Sequence, residues 1–324
     1  MHLESVDGCD VLVLVDNVTD ILSTVPVSVT NEAQNVFRAG ARELSGRCLC
    51  CAQFGLSLAI TTRRGTQEHT LLFDTGPEGY TFGRNGVRLG VDFSSIDAIV
   101  FSHGHWDHVG GIEQALDMIR EANGGKSIPL HVNDGMFVRR GMKTPDGNIL
   151  PFGEVPSKEA LRRAGGDVIS NDEPQLLLNR MVYLSGEIPR VTPYEKGFPP
   201  HVKDMGNGWE PDPLIMDERY VAVHVRGKGI IVFSACSHAG IVNVLKDAQE
   251  RFDPVPLYGV MGGFHLSGAA NEAIITQTIA DLRAFNIRRF APGHCTGWRA
   301  VYQLVDAFGE AQVVPSAVGQ LHEF

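Results

Sequence analysis

The chain has 324 residues, with 28 basic and 38 acidic side chains and a formal charge of −10. Hydrophobic residues at 43% and charged residues at 20% match ordinary globular usage, which argues against disorder or a fibrous repeat and suits one large domain or two modest ones. The acidic balance disfavours a nonspecific role on nucleic acid, the apolar runs at 11–15 and 230–233 are too short to span a bilayer, and the opening MHLESVDGCD lacks the basic start and apolar run of a secretory signal, so a cytoplasmic protein is expected.

In chain order, VLVLVDN (11–17) reads as a buried strand ending in polar residues. The CLCC cluster (48–51) opens an apolar segment and is expected to pack as buried strand, with metal binding or redox sensing as the alternative. GLSLAITT and LLFD follow as strands around the turn-like RRGTQEH. SSIDAIVFSHGHWDHVGGI then reads as strand, loop and a helix starting near Gly110 or Gly111 and running through IEQALDMIREAN.

From about 135 to 215 the sequence is rich in Gly and Pro, with one short helical patch, SKEALRRA, and reads as a lid-like insertion. Strand character returns in RYVAVHV and IIVFSAC, a hairpin around GKG. Three helices (AGIVNVLKDAQERF, NEAIITQTIADLRAF and AVYQLVDAF) then alternate with the strands VPLYGVMGGF and IRRFAPGH. Candidate site residues lie on both sides of the Gly/Pro region, so residues 1–324 are read as one domain.

The chemistry concentrates in SHGHWDHVGG. His103 and His105 lie two apart, so in an extended loop both can point to one side and grip a cation, while Asp107 and His108 turn toward a second position. Imidazole and carboxylate suit zinc, with iron or manganese as alternatives. A merely polar loop is the competing reading, but so dense a cluster is costly without a cation. Trp106 is read as packing or pocket wall. The six cysteines lack zinc-ribbon spacing and are read as reduced thiols. The isolated histidines 2, 69, 131, 201, 224 and 322 are given structural or surface roles, with His201 as a group that could close over substrate from its PPH segment.

On these residues the sequence resembles the metallo-β-lactamase superfamily, whose HxHxDH signature is matched by His103, His105, Asp107 and His108. VDN, GLSL, FDTG, SHGHWDHVGG, CSHAGIVN, GGFHL and PGHC, in that order, resemble its dihydropterin phosphate synthase-like branch. That branch usually has an acidic residue and a histidine where this chain has Gln53 and Phe54, and residues 155–180 look inserted.

The resemblance implies an α/β fold, a four-layer αββα sandwich with metals at one edge. It implies that Asp74 in LLFDTG supports the site, that His294 is the last ligand, and that Cys236 stands where an acid usually ends a strand. Either His238 or His265 supplies the remaining histidine. His103, His105 and that later histidine would hold one metal, Asp107, His108 and His294 a second, with Cys236 bridging or adjoining both. Two zinc ions are the expected cofactor. The implied activity is hydrolysis of a small-molecule ester by metal-bound hydroxide, a phosphoester or cyclic phosphate leading, with Asp107 and Asp74 as catalytic groups. The alternatives are a diiron redox enzyme, whose relatives typically carry glutamate where His105 stands, and a metal-binding protein without activity. A small-molecule substrate is expected, without nucleic-acid or membrane partners; the oligomeric state is left open.

Overall fold

The computed structural model describes residues 2–324. Two sheets form the centre. One is built from Gly8–Val15, Val29–Thr30, Ser57–Arg64, Gln67–Phe73, Ile96–Val100, Ile128–Val132, Gly166–Ser170 and Leu321–Glu323. The other contains Ser5–Val6, Gln175–Leu177, Val182–Leu184, Val221–Val225, Gly229–Ser234, Leu257–Gly263 and Arg289–Gly293.

Period-two alternation decides which side chains meet between the sheets. Val11, Val13, Leu58, Ile60, Leu71 and Phe73 of the first sheet pack against Val221, Val223, Ile231, Phe233, Met261 and Ala291 of the second. The outer faces are covered by helices. Leu14, Leu72, Ile99 and Leu130 pack against Phe82 of Gly79–Arg88 and Ile112, Leu116 and Ile119 of Ile112–Ala122. Ala222, Ile230, Val232 and Val260 pack against Ile241–Phe252, Ile275–Leu282 and Trp298–Phe308. This is the expected αββα sandwich. Among the described residues no helix is long and apolar enough to cross a membrane.

Within residues 135–215, Arg139–Lys143, Ile149–Pro151, His201–Asp204 and Trp209–Pro211 form a separate four-stranded antiparallel sheet. The middle of the segment joins the sandwich: Gly166–Ser170 runs parallel to Ile128–Val132, and Val182–Leu184 runs antiparallel to Val221–Val225.

The CLCC reading is corrected. Cys48, Cys50 and Cys51 are half-buried in turns and irregular chain ahead of Ser57–Arg64. Side chains replace a strand ladder there: Cys50 N donates to Glu32 Oε1 (2.6 Å), and Asn85 accepts from Cys51 N and donates to its carbonyl (both 2.9 Å). Among the elements that were not anticipated, three bear on the packing of the first sheet. Glu32–Arg38 and Gly79–Arg88 are helices, and Leu321–Glu323 is a strand inserted between Gly8–Val15 and Val29–Thr30.

That last strand buries His322. Its Nε2 lies 3.0 Å from Gln320 Oε1, and its Nδ1 has no partner. Burial, helped by Arg289, pushes its pKa down to about 3 from an ordinary 6.5. In this range the unfolded chain binds a proton that the folded chain refuses, so the stability present at neutral pH is lost as pH falls from about 6.5 toward 3. Urea unfolding of His322→Gln should show a loss of stability between pH 7 and 4.5 that is smaller than wild type by roughly 2–3 kcal/mol. An equal loss in both proteins would remove His322 from the acid sensitivity.

Candidate metal centre

Gln67–Phe73, Ile96–Val100, Gly229–Ser234, Leu257–Gly263 and Arg289–Gly293 run parallel within their sheets, and the loops after all five carry the candidate residues. Such C-terminal strand edges leave converging loops whose side chains and backbone are not consumed by the ladder. Asp74, Ser237, His265 and His294 occupy these loops with φ of 60°, 58°, 49° and 46°, the left-handed region that non-glycine residues avoid. Four of the nine non-glycine residues with positive φ thus fall in these loops, and such strain is maintained only where the surroundings over-determine it.

His103 and His105 sit in the loop, and Asp107 and His108 on a one-turn helix, Trp106–Val109. His103 Nε2 lies 3.0 Å from His105 Nδ1 and 3.2 Å from His238 Nε2. Asp107 Oδ2 lies 3.6 Å from His108 Nε2 and 3.4 Å from His294 Nε2. The candidate ligand atoms within each of these two triads lie within 4.8 Å of one another. Cys236 Sγ is 3.3 Å from His108 Nε2 and groups with His103 and His108, so it adjoins both triads. Its other neighbour is Cys295 Sγ at 3.4 Å.

His265 is set back from the first triad. Its ring centroid is 4.3 Å from that of His238, neither of its nitrogens has a hydrogen-bond partner, and it groups with Cys236 and His238 rather than with His103 and His105. The geometry therefore brings His238 to the first triad.

Supporting contacts fix which ring nitrogen each histidine presents. Asp74 Oδ2 meets His108 Nδ1 at 2.7 Å, and its two oxygens accept from Ser102 N and Oγ, both at 2.7 Å. Ser102 Oγ is 2.8 Å from His103 Nδ1. Both contacts leave Nε2 of His103 and His108 directed inward. Asp74 thus acts behind the site rather than inside it.

Several contributors escaped the sequence reading. Asp16 Oδ1 accepts from His294 N (2.8 Å), and Asn17 Nδ2 donates to His294 O (2.9 Å). Glu218 accepts from His238 N (2.7 Å) and Ala239 N (2.6 Å). Asp217 Oδ2 accepts from Gly104 N (2.9 Å) while Oδ1 pairs with Arg140 (2.5 Å). His201 is fully buried, its Nε2 3.0 Å from His105 Nε2. The polar end of VDN was the signal for Asp16 and Asn17. Asp217 and Glu218 carry no local signal, since only folding brings them here; His201 stood out only as a group that could close over substrate from its PPH segment, not as a neighbour of His105.

Burial holds His103, His105 and His238 well below the ordinary imidazole range, reinforced by neighbouring cationic forms, so all three are neutral with a lone pair to offer. Burial works against the Asp107 carboxylate, yet His108 and His294 hold its pKa below the usual carboxylate value. Burial likewise opposes a charge on His294, but Cys295, Asp107 and Asp16 push it up to about 9. Burial pushes the Cys236 thiol up.

This donor set fits divalent cations. His103 Nε2 has one lone pair and cannot satisfy two facing imidazoles through hydrogen bonds, whereas one cation satisfies all three nitrogens. The buried His294 Nε2 faces only the Asp107 carboxylate, at 3.4 Å; without a cation a proton is held there, in the place a cation would take.

The family model described as the metallo-beta-lactamase superfamily matches residues 55–122, which span Asp74 and the HxHxDH segment. The chain is 30% identical over 261 residues to a 7,8-dihydropterin-6-methyl-4-(beta-D-ribofuranosyl)-aminobenzene-5'-phosphate synthase of Methanocaldococcus jannaschii, covering 80% of this chain and 86% of that one. It is 28% identical to a second, uncharacterized protein of that organism, covering 78% and 88%. Among solved structures, Tm1679, a metal-dependent hydrolase of the beta-lactamase superfamily, aligns over 98% of both chains with a TM-score of 0.69 at 19% identity. The metallo-beta-lactamase fold protein YhfI from Bacillus subtilis aligns over 98% and 100% with a TM-score of 0.51 at 12% identity, a likeness of fold. A shared fold, the HxHxDH segment and a relative matched along most of its length lead to one conclusion: the chain belongs to the metallo-beta-lactamase superfamily, alongside the dihydropterin phosphate synthase-like branch.

Proposed function

We propose that the protein is a binuclear metal-dependent hydrolase of a small-molecule ester, with a phosphoester or cyclic phosphate as the leading substrate class. The observation that carries this reading is the pair of adjoining triads, His103–His105–His238 and Asp107–His108–His294, with Cys236 against both. Two divalent cations there, zinc by the nature of the donors, would supply Lewis acidity toward a substrate oxygen and activate water at neutral pH.

The chain's own residues do the rest. Asp107 faces His294 and His108 and is ionised, so it can orient a water proton while sharing the second position. Phe152 and Phe198 pack beside His105 and His238, with ring centroids 5.5 and 6.4 Å away, and keep bulk water from the first triad. Beside His294 a cavity of about 540 Å³ is lined by Asn17, Trp298, Tyr302, Val314 and Ser316, large enough for a small organic substrate. The exposed ring of Phe54 lies 4.8 Å from that of His294, so the departure from the branch pattern falls beside the second triad.

A second reading follows from the relative's name as a synthase. The same centre would then activate a phosphate-bearing substrate toward an acceptor other than water.

The test is metal content of protein purified without added metal, with phosphoester and lactone turnover, for wild type and His103→Ala. About two equivalents of zinc with hydrolysis, both lost in the variant, support the proposal. Iron would favour a redox enzyme, and a metal-free wild type would favour a binding protein.

A further inference from the structure

Resting on the metal-centre reading, we propose that His201, delivered by the small four-stranded sheet, is a positioning residue that accepts the Nε2–H of His105 and thereby commits His105 to present Nδ1 to the first cation site. His105 Nδ1 is the atom 3.0 Å from His103 Nε2, and so belongs to the triad. A neutral imidazole carries one proton, so when Nδ1 gives its lone pair the proton sits on Nε2. The group facing that proton is His201 Nε2, at 3.0 Å.

His201 can accept only if its own proton is on Nδ1, and there it meets the Asp212 carbonyl oxygen at 2.8 Å, with Asp212 Oδ2 at 3.4 Å. Every donor in this chain then faces an acceptor. The opposite arrangement, with His201 Nε2 donating, would set the Nδ1 lone pair against that carbonyl and move the His105 proton onto the nitrogen facing His103. The Asp212 backbone therefore selects the tautomer of His105 through His201.

The surroundings make the choice matter. His201 is fully buried, with Phe152 and Phe198 at ring-centroid distances of 6.0 and 6.2 Å, so an Nε2–H left without His201 would be buried beside apolar surface at a cost. The sheet is anchored to the same loop from the other side. His201 pairs in register with Met142, and Arg140, two residues before it, pairs with the Asp217 that holds Gly104 N. The segment that the sequence presents as a lid thus builds one wall of the centre.

Two measurements test this. In zinc-loaded wild-type protein labelled with 15N-histidine, the shifts should show His105 protonated on Nε2 and His201 on Nδ1; a proton on His105 Nδ1 or His201 Nε2 overturns the proposal. In the second, zinc affinity by chelator competition and the absorption spectrum of cobalt-substituted protein are compared for His201→Phe and His201→Gln. Phenylalanine should weaken one of the two equivalents by about 10–100-fold and shift the cobalt bands, whereas glutamine, whose amide oxygen accepts the same proton, should recover most of the affinity. Affinity and spectrum unchanged in His201→Phe would reduce His201 to packing, and loss of an equivalent in both variants would make it a direct ligand; either result overturns the positioning role. A wild type that takes up neither zinc nor cobalt would instead defeat the metal-centre reading itself.

Discussion

For the proposed binuclear hydrolase, alanine at His238 is expected to remove about one of two metal equivalents and to lower turnover by roughly three orders of magnitude, about 4 kcal/mol of transition-state stabilisation. Alanine at His265 should leave the metal content intact and cost no more than about tenfold. The asymmetry follows from position. His238 Nε2 closes the triad with His103, while His265 stands behind it with both nitrogens unbonded. Metal analysis with steady-state kinetics on the two variants reads the difference, and the opposite order, with metal lost only in His265→Ala, would exchange their roles.

Arg140→Met is expected to destabilise the fold by about 3–5 kcal/mol, because it strands the Asp217 carboxylate in the interior. Both partners are almost fully buried and 2.5 Å apart, and Asp217 also holds Gly104 N between the two signature histidines. A packing defect alone would lower stability without touching the loop. Here occupancy of the first cation site should fall as well, since the HxH loop loses its fixed point. Adding Asp217→Asn should recover part of the stability, because a neutral amide is cheaper to bury and its oxygen can still accept from Gly104. Denaturant unfolding of the single and double variants measures both; a single variant as stable as wild type would mean that the pair contributes no net stability.

The sequence by itself determined whatever is written in local pattern. HxHxDH is contiguous, so four candidate ligands and the strand before them could be read directly. The short apolar runs at Gly8–Val15, Ser57–Arg64 and Gly229–Ser234, bounded by turn residues, showed strands buried in the sandwich, and the 3.6-residue periodicity of Ile112–Ala122 and Ile241–Phe252 showed helices buried on one face.

Tertiary structure decided the rest. Gly79–Arg88 carries glycines at 79, 83 and 86, which argue against a helix, yet Gly83 lets it close on Gln114 and Gly86 leaves room for Phe93. The choice between His238 and His265 was invisible because both follow strands in glycine-flanked loops; only the packing of the two sheets carries one to His103. Asp217 and His201 lie 113 and 96 residues along the chain from Gly104 and His105, and Glu218 lies 20 from His238. Their hydrogen bonds exist only once the sandwich has closed, because burial is what makes an unsupported imidazole or backbone N–H too costly to leave unpaired.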